Sequence, residues 1–294
     1  MKTEKLLFLI FIILILTNCF TWGIISKALH IKNQVSFLNV GQGDAELIQT
    51  LAGNILIDTG PNAQVLFELG KILPFYDKTI DLVILSHPNK DHFNGLFYLL
   101  DKYKIRAVML NNYTYPASTF QKLIQELQKR NILLIKGMAN VRVNNFNNNE
   151  QDKLFIVYPP PELFFNNSPN QSCLVAALFL GNNQFLFPGD ISISQEKQLL
   201  PWLKNLTSSF RILKVAHHGS NTASSENFLN VFHPQISIIE VGENSYGQPH
   251  PDILTRLKNI SAQVLRTDIN GTIQFLLENN ALKMKTDNFT SNLP

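Results

Sequence analysis

His87, Asp91 and His92 fall within six residues, directly after the apolar run Ile80–Ser86. Asp190 follows a second such run, Gln184–Phe187, and His217-His218-Gly219-Ser220 follows a third, Ile212–Ala216. His250 lies in the loop beyond Ile236–Val241, and Asp58 closes Asn54–Asp58. Imidazoles and carboxylates that end several apolar strands gather at one edge of a sheet, where a rigid scaffold holds them together. These donors suit a divalent Zn or Mn ion, and the lack of thiolates argues against a structural Cys-type zinc site. A carboxylate can bridge two ions about 3.5–4 Å apart, which then share a hydroxide and clamp a phosphoryl group. A bound ion brings the pKa of its water from about 15.7 to about 7.

His87, Asp91, His92, Asp190, His217 and His250 are therefore candidate ligands. His218 is a ligand or a substrate contact, because an extended backbone would turn it away from its neighbour His217. Asp58, and Asp44 from the turn Gly41-Gln42-Gly43-Asp44, are expected to orient the ligands from outside. His30 and His233 read as ordinary histidines, and Asp81 as a solvated strand opener.

The elements that must position these groups are short. Strands are predicted over Val35–Val40, Ala45–Thr50, Asn54–Asp58, Ile80–Ser86, Arg106–Leu110, Ile132–Ile135, Phe155–Tyr158, Ser172–Leu180 and Gln184–Phe187. Further strands are predicted over Ile212–Ala216, Ile236–Val241, Val264–Thr267 and Thr272–Leu277. Helices fit Ala63–Leu73 and residues near 93–102, 117–130, 192–204, 224–232 and 252–259. Residues 144–150, Pro159-Pro160-Pro161 and Asn166–Asn170 read as loops. No fixed-period repeat is found, and residues 32–285 read as one α/β domain.

The chain has 294 residues, 45% apolar and 16% charged, with a net charge of +3, which excludes wholesale disorder and does not announce nucleic acid. Its two cysteines cannot build a disulfide framework; Cys173 reads as a core residue. Residues 6–16 are one apolar run behind Lys2 and Lys5, and Leu6–Ile25 is long enough to span a bilayer. Residues 1–30 are thus a signal peptide or membrane anchor, with the lysines favouring a cytoplasmic N-terminus. A lipoprotein site at Leu16-Thr17-Asn18-Cys19 is the other reading. All of these put residues 31–294 outside the cytoplasm, anchored or secreted.

Ser86-His87-x-x-x-Asp91-His92 resembles the metallo-β-lactamase superfamily motif His-x-His-x-Asp-His. More narrowly, residues 39–45 (NVGQGDA), 56–60 (LIDTG) and 85–95 (LSHPNKDHFNG) are similar to the C-terminal domain of the ComEC competence family. So are Gly189-Asp190, residues 215–220 (VAHHGS) and residues 246–251 (YGQPHP). The resemblance implies a four-layer αββα sandwich with the metals at one edge. It implies that His87, Asp190 and His217 hold one ion, and that Asp91, His92, Asp190 and His250 hold the other. Three positions depart from the pattern. Asn89 stands where the subgroup has Asp and can ligate only through a neutral carbonyl oxygen. Asn170-Gln171-Ser172 stands where a third histidine would lie, and Asn39 replaces an Asp. The first metal position is thereby weakened, leaving one strongly bound and one labile ion. A single apolar segment replaces the family's many membrane spans, so no transport channel is expected.

By this resemblance the chain is a metal-dependent hydrolase, a phosphodiesterase or nuclease tied to competence and DNA uptake, with a competence channel as a partner. Asp91 and His218 are the candidate catalytic residues, with His218 or His250 stabilising charge or protonating the leaving oxygen. Lys214, Lys90, Arg266 and Ser220 are candidate phosphate contacts. Phe93, Tyr113, Tyr115 and Tyr246 are candidate base-stacking rings. An alternative substrate is a cell-wall phosphorylcholine or other small ester, which the near-neutral charge favours. A third reading is a degenerate module that only binds DNA or a partner. Hydrolysis of β-lactams ranks last, because fold does not set chemistry.

Overall fold

A computed structural model describes residues 2–28, 33–111, 118–143, 152–161, 170–206, 210–278, 281–287 and 290–293. Contacts divide the chain into residues 1–32 and 33–294.

The first unit is one helix, α1 (Lys2–Ala28). Its segment Thr3–Trp22, 20 residues, is long and apolar enough to cross a membrane. The Thr17 and Thr21 hydroxyls donate to the carbonyls of Ile13 and Thr17, both at 2.9 Å. Both hydroxyls are thus satisfied within the helix.

The second unit opens with β1 (Asn33–Phe37), β2 (Glu46–Thr50), β3 (Gly53–Ile57), α2 (Gln64–Ile72), β4 (Thr79–Ile84), α3 (Lys90–Phe93), α4 (Leu96–Leu99) and β5 (Lys104–Leu110). Next come α5 (Ser118–Lys129), β6 (Leu133–Lys136), β7 (Arg142–Val143), β8 (Lys153–Tyr158), β9 (Val175–Leu180) and β10 (Asn183–Phe187). These are followed by α6 (Ile193–Leu203), β11 (Phe210–Lys214), α7 (Glu226–Phe232), β12 (Ile236–Ile239), α8 (Pro251–Asn259) and β13 (Gln263–Arg266). The unit closes with α9 (Thr267–Asn270), β14 (Ile273–Glu278), β15 (Ala281–Lys285) and β16 (Thr290–Asn292).

Strands β16-β15-β14-β1-β2-β3-β4-β5-β6 form one sheet and β13-β12-β11-β10-β9-β8-β7 the other. Side chains alternate between the faces of each strand, and the alternation builds three apolar layers. Ile48, Ile57, Ile84, Phe185, Phe187, Ile212 and Ile238 fill the space between the sheets. Leu47, Leu56, Val83 and Val108 face α2, α4 and α5. Leu186, Leu213 and Ile239 face α6, α7 and α8. The architecture is the expected αββα sandwich, and the apolar run of β4 is explained by burial on both faces.

Phe185 lies at the centre of the inter-sheet layer, edge-on to Phe275 at 5.5 Å. Phe185→Ala is expected to cost about 3–5 kcal/mol by cavity formation, read as a lowered urea midpoint with an unchanged slope.

Two elements differ from expectation. The helix expected near 93–102 is two short helices, α3 and α4, with Gly95 between them. A Cβ at Gly95 would lie 1.9 Å from the Thr59 carbonyl oxygen, so this close approach sets the break. The strand expected to end at Thr267 gives way there to α9, because the Thr267 hydroxyl donates to the Val241 carbonyl at 3.0 Å. The hairpin strands β15 and β16 continue the first sheet past the last expected strand.

The inter-sheet layer ends in polar residues. Strand parity puts Glu46 on the same inward face as Ile48, Lys214 with Ile212 and Glu240 with Ile238. All three are buried, and this charged layer is the floor of the site.

Candidate metal centre

Asp58 leaves β3 in the left-handed region, at φ 52, and turns its carboxylate toward the end of β4. It accepts the Ser86 amide at 2.7 Å, the Ser86 hydroxyl at 2.5 Å and His92 Nδ1 at 2.7 Å. The Ser86 hydroxyl is spent on Asp58, so its oxygen accepts from His87 Nδ1 at 3.0 Å. His218 Nδ1 donates to the Glu240 carbonyl at 2.9 Å, since a carbonyl can only accept. Each of the three buried imidazoles therefore carries its proton on Nδ1 and presents the Nε2 lone pair inward. That is how an outer partner sets a metal-binding tautomer.

The inward atoms converge on Asp190. Its Oδ2 lies 3.7 Å from His87 Nε2, 3.4 Å from His92 Nε2 and 3.6 Å from His217 Nε2. Its Oδ1 lies 3.8 Å from His218 Nε2. Asp91 Oδ2 is 3.3 Å from His218 Nε2 and 3.8 Å from His92 Nε2. Ligand atoms of Asp91, His92, Asp190 and His218 all lie within 4.8 Å of one another. His87 Nε2, His92 Nε2, His218 Nε2 and Asp190 Oδ1 are buried with no hydrogen-bond partner. Four orphaned donors and acceptors facing one point are costly unless an ion takes them, so the residues present fit a divalent metal.

The electrostatics agree. Burial would raise the Asp190 carboxyl, but His92, His218 and His87 outweigh it and hold it well below the usual carboxylate range. Burial would lower His218; Asp44 and Asp190 reverse that and push it up to about 10. His92 is likewise driven well above the ordinary imidazole value, against its burial, by Asp190, Asp58 and Asp44. Burial, then the charge of His92, lowers His87 to about 3. This surplus of buried negative charge favours positive charge at Nε2 of His92 and His218, and a divalent metal would supply it in place of a proton.

His217 and His218 both have φ 52, an uncommon left-handed conformation for residues with a Cβ. The turn splays their rings, whose centroids are 6.2 Å apart. Both therefore reach Asp190, whereas an extended backbone would have separated them. Gly43 lets the Asp44 turn lie against the α3 segment, since a Cβ there would be 2.4 Å from the Asp91 carbonyl oxygen.

Several candidates stand outside this cluster of ligand atoms. His250 caps α8, its Nδ1 accepting the Asp252 amide at 3.2 Å. That tautomer leaves a proton on Nε2, and His218 takes the place beside Asp91 and His92 that the resemblance gave to His250. Asn89 donates its amide to Asn170 Oδ1 at 3.2 Å and is not in the cluster. Lys214 is wholly buried with its ammonium on Asp44 and 4.0 Å from Asp190 Oδ1, so it balances the charge of these carboxylates. Arg266 is paired with Asp268 at 2.6 Å. Phe93 is buried against Phe120 at 5.1 Å and offers no stacking face. The Ser220 hydroxyl is 2.9 Å from that of Thr222. Lys90 is exposed and Tyr246 is 77% exposed; Tyr113 and Tyr115 lie outside the described residues.

Glu46 and Glu240 escaped the sequence reading. With Asp44 they bring carboxylate oxygens within 4.8 Å of one another, but Lys214 supplies their cation. Burial, then the charge of Asp44, pushes Glu240 up to about 7. Their signal is parity, a charged residue one step beyond an inward isoleucine in an apolar strand.

Asp58→Asn keeps the shape but weakens the acceptor that orients His92. It is expected to lower metal affinity about 10–100-fold, measured by calorimetric titration with zinc.

A family model described as the metallo-beta-lactamase superfamily matches residues 38–242, and the chain belongs to that superfamily. Within it, the chain resembles the ComEC-like competence proteins. It is 28% identical to ComE operon protein 3 of Bacillus subtilis (strain 168) over 274 residues, covering 87% of this chain and 34% of that protein. It is 26% identical to Competence protein ComA of Neisseria gonorrhoeae over 255 residues, covering 85% and 33%. It is also 26% identical to Recombination protein 2 of Haemophilus influenzae over 269 residues, covering 88% and 31%. The chain thus spans about a third of the length of these relatives. Among solved structures, the metallo-beta-lactamase fold protein YhfI from Bacillus subtilis superposes with a TM-score of 0.52 at 14% identity, covering 81% of this chain and 98% of that one. A variant of the CmlA beta-hydroxylase gives 0.57 at 9% identity, covering 83% and 54%. Both are similar in fold alone.

Proposed function

We propose that the chain is a membrane-anchored, extracytoplasmic metal-dependent phosphodiesterase whose substrate is DNA. The observation that carries the hydrolase reading is the convergence of orphaned imidazole and carboxylate atoms on Asp190. The names of the relatives, two from competence and one from recombination, support a nucleic-acid phosphodiester.

Asp91, His92, His218 and Asp190 would hold one ion, while His87 and His217 would share Asp190 with a second. Asn89 adds no ligand to that second group, so the two positions are expected to differ in affinity. A divalent metal supplies Lewis acidity toward a phosphoryl oxygen and a water of lowered pKa. The chain's own contribution is orientation. Asp58, Ser86 and Glu240 lock three imidazoles, and the Lys214–Asp44 pair holds the floor behind them. Asp91, 35% exposed at its side chain, and His217, 29% exposed, form the accessible rim where substrate meets the cluster. Lys90 and Tyr246 stand exposed to the approaching chain.

One observation favours a smaller ester as second reading. Lys214 and Arg266 are committed to Asp44 and Asp268, which removes two of the cations a polyanion would use.

The test is a substrate panel with the full chain in detergent and added Mn or Zn. It comprises single- and double-stranded DNA, a bis-aryl phosphodiester and a phosphorylcholine ester. Cleavage of DNA with a steep salt dependence is expected. Flat salt dependence with preference for a small ester would favour the second reading. Bound metal with no hydrolysis of any substrate would make the chain a binding module.

A further inference from the structure

We propose that the end of the first sheet opposite the His/Asp cluster docks onto an anionic lipid bilayer. The inference rests on the reading of α1 as a membrane anchor.

Strands β3, β4 and β5 run parallel. Their C-terminal ends carry Asp58 and Ser86-His87. Their N-terminal ends lie one strand length away, about 17–20 Å. Exposed apolar side chains gather there. Phe75 is 86% exposed, Leu51 64% and Tyr76 55%. Phe75 and Tyr76 stand edge to face at 5.3 Å. One exposed apolar side chain needs no explanation, but several at one end mark a contact surface.

The charge there is basic. Lys78 and Lys104 are exposed and adjoin, the Lys104 amide donating to the Lys78 carbonyl at 2.7 Å. The neighbouring acids turn to internal partners. Asp77 accepts from Asn54 Nδ2 at 2.9 Å, and Asp81 accepts the Asn54 amide at 2.9 Å. Glu68 is buried, accepts from Thr272 at 2.7 Å and pairs with Lys71 at 2.8 Å, which removes both from the surface charge. Exposed aromatic rings flanked by lysines suit the bilayer interface, where rings enter the acyl boundary and ammonium groups reach the phosphates. Near an anionic surface each lysine strengthens binding roughly fivefold. A neutral protein partner would use the rings and leave the lysines unmatched. Docked this way, the His/Asp cluster faces away from the lipid, toward a substrate arriving from the aqueous side.

The test places single nitroxide labels at Ile12→Cys, Phe75→Cys and Tyr246→Cys in the full chain carrying Cys19→Ser. The chain is reconstituted in nanodiscs rich in phosphatidylglycerol, and collisions with oxygen and a water-soluble nickel chelate are measured. The expected result is that the label at 12 meets oxygen alone. The label at 75 should meet oxygen and be several-fold less accessible to nickel than the label at 246. Its protection should weaken in pure phosphatidylcholine and in Lys78→Gln/Lys104→Gln. A label at 75 as open to nickel as that at 246, with 12 in lipid, overturns the docking surface and leaves the anchor standing. Labels at 12 and 75 both open to nickel overturn the anchor and the docking surface with it. A label at 75 shielded from both reagents overturns the lipid in favour of a protein covering the patch.

Discussion

Asp190→Ala is expected to abolish stable retention of metal and reduce hydrolysis to background, while the near-ultraviolet circular dichroism of the fold persists. The loss should exceed the roughly 10–100-fold expected when an outer partner is changed. The reason is placement. Among the described residues, Asp190 is the one carboxylate within 4 Å of His87, His92, His217 and His218 at once. His87→Ala should behave differently. It removes a ligand from the group that lacks help from Asn89, so a weak binding class should disappear while the tight class stays. Calorimetric titration with zinc separates the outcomes. Equal loss from both variants would mean a single shared ion, and tight binding in Asp190→Ala would place the metal elsewhere.

Lys214→Ala is expected to destabilise the protein by about 3–5 kcal/mol, because it leaves buried carboxylate charge without its cation. Burial alone would lower the Lys214 ammonium, but Asp44, Asp190 and Glu46 outweigh it and raise it. Burial would raise Asp44, and Lys214, His218 and His92 together hold it below the usual carboxylate range. The pair is thus ionised on both sides within an enclosed layer. Lys214→Met with Asp44→Asn should recover much of the loss, since removing both charges costs far less than removing one. Urea unfolding of the chelator-treated protein measures this apart from metal. A loss below about 1 kcal/mol for Lys214→Ala would show that water already reaches Asp44.

The strands were legible because they are apolar runs of four to nine residues punctuated by turns; these define an α/β domain, while the αββα layering was implied by the resemblance of the motifs. His87, Asp91, His92, Asp190 and His217 could be picked out because polar residues directly after buried strands have few structural reasons to be there. The position of His218 was less legible. It depends on two successive left-handed residues, and a backbone conformation of that kind is imposed by packing against Gly189 and Glu240 rather than by propensity. His250 looked like a ligand by its surroundings in sequence, yet Pro251 opens a helix after it and the free amide of Asp252 claims its lone pair. Lys214 read as a phosphate contact because lysine is seldom buried. Its parity with Ile212 pointed inward, and so did that of Glu46 with Ile48 and Glu240 with Ile238.

The most direct test is zinc K-edge X-ray absorption of the full chain loaded with one equivalent of zinc. The account requires a shell of nitrogen and oxygen at about 2.0–2.1 Å with imidazole multiple scattering from two histidines, His92 and His218. That scattering should weaken by half in His218→Ala. An all-oxygen shell without imidazole scattering, such as Asp44, Glu46 and Glu240 would provide, would contradict it.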